Sequence, residues 1–206
     1  MANEALVPFV RTQADLDRRA EKMSEFQRRL ESLADSMPSH ESAATVIFNR
    51  GMSIPELHRL TKSEGLQVMS LHLKVPYDER GTIQSIDIPS AELTKYRGDF
   101  AERATNAIGA IRYKFLEWSE GLPTDDAESH RAIATSPMHV FRCEVFGAAS
   151  SLRKLSRDSA IAAVVLESED RAQAKIRQYR TLKARAEEAW ANYEAMQSQP
   201  NATSQQ

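Results

Sequence analysis

The chain has 206 residues, enough for one domain with a real core and long helical appendages. Its 27 basic and 29 acidic residues leave a net charge of −2, which gives no global attraction for a polyanion or an anionic membrane. The single cysteine, Cys143, excludes an internal disulfide, and no stretch approaches the roughly 20 apolar residues of a membrane span.

Residues 1–11 lack the basic start and long apolar run of a signal peptide and read as a flexible leader. The compartment is therefore cytoplasmic by default, and extracytoplasmic if the chain is an excised piece of an exported protein. Over residues 12–37, Met23, Phe26, Leu30 and Leu33 recur at helical spacing, so this segment is an amphipathic helix. Thr12 and Asp15 supply a capping box at its start, and "SMPSHES" stops it.

Residues 44–168 read as an α+β sheet domain. Val46, Ile47 and Phe48 suit a buried strand, after which Ser53, Pro55 and Glu56 are the signals of a capped helix start. Leu57 and Leu60 mark that helix's inner face, and Gly65 fits its C-terminal turn. Leu66 to Leu73 then returns to a period of two, "PYDERG" fits a hairpin loop, and Thr82 to Ile88 reads as a strand, either the third or an extension of the second. A long inserted helix is expected over 91–118, loosened at Gly98 and Gly109.

The later stretch "HVFRCEVFGAASSLRKLSRDSAIAAVVLES" repeats this logic. At an offset of 95 residues, Leu57 and Leu60 fall on Leu152 and Leu155, and Phe48 falls on Cys143. Two such units predict a ferredoxin-like fold: two βαβ-type units forming a mainly antiparallel sheet, flanked by long N- and C-terminal amphipathic helices. Because "DSAIAAVVLESEDRAQAK" holds no Gly or Pro, one continuous helix over 148–196 is the competing reading. Residues 169–196 form a heptad-like helix, and the polar residues 197–206 read as a disordered tail.

Motifs for chemistry are absent from this sequence. The histidines occur in no HxxxH or HExxH pattern, so no metal is expected. His58 reads as an exposed polar neighbour of Leu57, and His72 and Lys74 can pair with a hairpin residue such as Asp87. In "DDAESH" the acidic residues Asp125, Asp126 and Glu128 suit a helix N-terminus. "FGAASS" lacks phosphate-loop spacing, so no cofactor is expected, and no catalytic residues are assigned. The chain is read as non-enzymatic.

An RNA-binding sheet needs paired aromatics on one face, whereas strict alternation puts Phe141 and Phe146 on opposite faces. The alternative function is a nucleic-acid-associated regulator using Lys175, Arg177, Arg180, Lys183 and Arg185 of the last helix. Glu187, Glu188 and Glu194 follow that basic stretch closely and disfavour nucleic acid.

The stretch "VFGAASSLRKLSRDSAIAAVVLE" resembles the closing strand–helix–strand half of propeptide-like ferredoxin folds and of exported bacterial interaction domains. That resemblance implies a domain that presents a sheet or a helix to another protein. On the last helix, Ile176, Tyr179, Trp190 and Tyr193 form a seam, and an exposed row of such residues marks a contact surface. These four are the expected partner-binding residues, with another protein or a second copy as partner in a possible homodimer. The seam is expected to fold back in part on Met23, Phe26, Leu30 and Leu33 of the first helix.

Overall fold

The computed structural model describes residues 12–76 and 83–198, which form five strands and seven helices. The leader, the hairpin loop after Pro76 and most of the tail lie outside the described residues.

Helix α1 (Gln13–Ser36) begins where the Thr12 hydroxyl accepts from the Asp15 amide and the Asp15 carboxylate accepts from the Thr12 amide. Strand β1 (Glu41–Met52) leads into α2 (Ile54–Ser63) through a second box, between Ser53 and Glu56. Gly65 then takes a positive φ of 66°, a conformation that costs glycine least, and β2 (Gln67–Pro76) follows. Strand β3 (Ile83–Ile88) pairs with β2 as a separate strand, from Leu71 opposite Ile88 to Pro76 opposite Ile83.

The helix expected over 91–118 is broken. A short α3 (Ser90–Leu93) is followed by α4 (Phe100–Ser119), because Gly98 has a φ of 97° and Asp99 caps a new helix with Glu102. Gly109 lies within α4 and does not interrupt it. Helix α5 (Thr124–Thr135) places Asp125 and Asp126 in its first turn. Next come β4 (His139–Ala148), α6 (Ala149–Leu155), β5 (Ile161–Leu166) and α7 (Glu169–Gln197). The continuous-helix reading of 148–196 therefore does not hold: Ile161–Leu166 pairs with β1.

The fold is mixed α+β, with one antiparallel sheet in the order β3-β2-β4-β1-β5. A fifth strand at the β3 edge departs from the expected ferredoxin-like arrangement, so the order does not establish that topology. The main core fills one side of the sheet, where Leu57 of α2, Ala104 of α4, Leu152 and Leu155 of α6 and Leu30 of α1 meet Val46, Leu71, Cys143 and Val164.

A smaller core fills the other side, with Ala43, Met69 and Phe146 from the sheet against Ala172, Ile176 and Tyr179 of α7. The expected fold-back of the last helix on the first therefore does not occur. Helix α1 packs on β5 and α6, while α7 takes the opposite face, lying on β1.

Two bulges set which residues lie on the side of the sheet that carries α7. Register slips between Val68 and Ser70 turn Met69 away from the main core, so it does not share a side with Leu71 and Leu73. On β4 the register passes from Val140 to Arg142 with Phe141 as the extra residue. Phe141 lies under the ammonium of Lys74, 4.8 Å from the ring centroid, while Lys74 alternates with the buried Leu73 and Val75. Phe141 and Phe146 thus share a face, contrary to the strict alternation.

Candidate functional site

Helix α7 divides into two halves with different surroundings. Glu169 and Asp170 stand in its first turn, where negative charge complements the helix dipole. A hydrogen bond to His40 at 3.0 Å holds the Glu169 carboxyl below its usual range. Beyond this turn Ala172, Ile176 and Tyr179 fall on one stripe and are buried, with Tyr179 set edge-on to Phe146 at 5.4 Å.

Polar side chains flank that stripe and fix the helix in place. The Lys175 ammonium donates to Glu144 and to Glu167, each at 2.7 Å, and Glu144 also accepts from the Ser70 hydroxyl at 3.0 Å. Burial lowers the Lys175 pKa, but the two carboxylates outweigh it and the net shift is upward. Arg180 pairs with Glu41 at 2.6 Å and stands 5.6 Å from the Phe146 centroid.

The second half of α7 meets the connection between α3 and α4. Trp190 is half-buried, its indole N–H donates to the Lys95 carbonyl at 3.3 Å, and Arg97 pairs with Glu194. Tyr193 stands edge-on to Trp190 at 6.0 Å and is 51% exposed. Met196, one turn of side chains further on, is exposed as well.

The four seam residues are therefore not brought together. Ile176 and Tyr179, at 0% and 2% exposure, are internal packing, whereas Trp190 and Tyr193 remain at the surface. The basic residues of α7 are also divided: Lys175 and Arg180 are held by carboxylates, Lys183 lies 3.7 Å from Glu187, and Arg177 and Arg185 are exposed. They form no uniform positive track for phosphates.

Elsewhere on the α7 side of the sheet, His72 bonds Asp87 across the β2–β3 pair, with Arg142 at 3.4 Å from the same ring nitrogen. His58 differs from its expected exposure: it is half-buried, stacks on Phe100 and lies 3.4 Å from Asp99. Cys143 is buried in the main core, and burial pushes its thiol well above the usual range, so it is a packing residue.

Sequence reasoning missed further exposed apolar side chains, Tyr113, Leu116 and Trp118 on α4 and Leu122 after it. Trp118 meets Phe115 edge-on at 5.5 Å there. Among the described residues, no group of three or more His, Cys, Asp or Glu side chains is placed to hold a metal ion, and no helix is long and apolar enough to cross a membrane. No protein-family model, curated protein or solved structure matches the chain.

Proposed function

We propose that this chain is a non-enzymatic protein-interaction module whose contact surface is the second half of α7, centred on Trp190 and Tyr193. The observation that carries the reading is the division of one helix. Its first half spends its apolar stripe on the sheet, and its second half continues that stripe to Trp190, Tyr193 and Met196, with Tyr193 and Met196 exposed. Exposed aromatic side chains anchored by a rigid helix are the usual anchors of a protein contact. The partner is another protein or a second copy of the chain.

The proposed scaffold for this helix is a ferredoxin-like sheet with one strand added. Leaving out β3, the order β2-β4-β1-β5 and the placement of α2 and α6 on one core support that description.

The test is site-specific photocrosslinking in cells, with a photoreactive residue at position 193 and, as a control, at the exposed position 177. Crosslinks at 193 to a discrete protein, or to a second copy, are expected, with few at 177. Equal labelling at both positions, or none at 193, removes the reading. The pair Trp190→Ala and Tyr193→Ala should weaken the captured association by about 1 kcal/mol or more per residue and leave the sheet folded. Retained association with lost stability would show the pair to be internal packing only.

A further inference from the structure

Between α7 and residues 94–103 lies a groove of about 320 Å³. Its lining carries three cations, Arg97, Arg103 and Lys183, and two carboxylates, Glu187 and Glu194. Arg97 is paired with Glu194, and Lys183 lies 3.7 Å from Glu187. Arg103 is the cation left over. Among the described residues its side chain makes one polar contact, a long 3.4 Å bond from NH2 to the Tyr179 hydroxyl, and its Nε is buried with no hydrogen-bond partner.

Arg103 is half-buried, with its Nε–H withdrawn from water and, among the described residues, no counter-charge beside it, and a planar carboxylate at its terminal N–H groups supplies that charge through charge-assisted bonds. A single carboxylate balances the one surplus positive charge of the groove, three cations against two carboxylates, whereas a doubly charged phosphate leaves an excess negative charge there. Trp190 also lines the groove, and its indole N–H is already given to the Lys95 carbonyl. What Trp190 offers is therefore its ring.

We propose that this groove binds an acidic side chain of a partner polypeptide, with Arg103 receiving the carboxylate and Trp190 packing against an apolar residue beside it. The inference rests on the reading of the second half of α7 as a contact surface, and it names the chemistry that surface selects.

The probe is the capped dipeptide acetyl-Asp-Phe-amide, titrated into the full chain while NMR follows the Arg103 Nε–H and Trp190 indole signals. Both signals should shift saturably. The neutral acetyl-Asn-Phe-amide should bind at least about tenfold more weakly, as expected when a charge-assisted pair is lost. Arg103→Met should abolish the response, and Arg103→Lys should restore part of it.

Glu187→Gln, at an exposed position that does not threaten folding, should tighten binding severalfold by removing a repelling charge. Equal binding of the Asn dipeptide, or no tightening in Glu187→Gln, overturns the proposal even if Arg103→Met fails to fold. Tighter binding of the phosphoserine dipeptide would replace the carboxylate by a phosphate and overturn it too. Crosslinking at position 193 does not depend on the carboxylate. Persistent crosslinks with no dipeptide binding refute this inference alone, and lost crosslinks refute the interaction reading.

Discussion

Leu57 and Leu152 occupy matching positions in two strand–helix–strand units and are buried in one core, at 1% and 0% exposure. Each stands at the fourth residue of its helix, so each points a branched side chain onto the same side of the sheet. Leu57→Ala and Leu152→Ala should each destabilise the fold by about 2–5 kcal/mol, since both leave cavities in a shared interior. Urea denaturation checks this. A nearly neutral effect at either position would mean that the two helices do not share one packed layer.

Two glycines should respond to alanine with opposite signs. Both Gly65 and Gly109 have open space where a Cβ would stand, but Gly65 holds a φ of 66° and Gly109 is helical. Gly65→Ala should cost about 1 kcal/mol through backbone strain, whereas Gly109→Ala should add about 0.5–1 kcal/mol. Thermal unfolding of the two variants beside the parent chain separates these outcomes.

At the start of α2, the Glu56 carboxylate accepts from Arg50 at 2.9 Å and from the Ser53 amide and hydroxyl, each at 2.9 Å. Arg50 first, then Ser53, hold its pKa down to about 2, against 4.5 for an ordinary glutamate. A depressed folded-state pKa adds stability above the unfolded value, and that stability disappears as pH falls toward the folded value. Glu56→Gln should therefore be less stable than the parent at neutral pH, and the difference should narrow at about pH 3. Paired denaturation curves at the two pH values measure it, and a difference that does not change with pH would contradict the assignment.

Lys175 is the bridge between Glu144 on β4 and Glu167 after β5. Lys175→Met leaves two partly buried carboxylates with no cation between them. The loss at neutral pH should be about 1–2 kcal/mol, below the cost of breaking a fully buried pair because all three groups retain some exposure. Urea denaturation of the variant beside the parent chain measures the loss. A neutral effect would show that the bridge is not what holds α7 here.

Helix starts were the most legible part of the chain, because a capping box is a local pattern. Thr12 with Asp15 and Ser53 with Glu56 could both be read in sequence. The same pattern at Asp99 and Glu102, just after Gly98, was present but overshadowed by the longer apolar periodicity that suggested one helix. The repeat of Leu57 on Leu152 was legible for a similar reason, as two short periodic faces at one offset.

Side assignments on the sheet were less accessible. A bulge such as the one at Phe141 adds a residue without any compositional mark, so period-two reasoning reverses faces beyond it. The stripe of α7 was visible as apolar, but an apolar stripe does not state what covers it. Met69 and Phe146, brought to the far side of the sheet, claim Ile176 and Tyr179. Arg103 had no motif at all, because its isolation depends on which neighbouring charges pair with one another in space.

Helix α7 has 29 residues, about 43 Å at 1.5 Å per residue, and its buried apolar anchorage is confined to the half that lies on the sheet, the second half being held by the Trp190 and Arg97 contacts. Amides around Ile176 and Tyr179 should exchange with solvent only when the whole domain opens, because releasing that half uncovers a core. Amides around Tyr193 and Met196 can exchange by fraying from the helix end, at little cost to the rest. The helix is thus a rod clamped in a core at one end and tethered by surface contacts near the other. Whatever order a bound partner imposes on its last turns is passed down the helix to Ile176 and Tyr179, which pack on Ala43, Met69 and Phe146, so occupancy at the tip should slow exchange in the middle of the sheet.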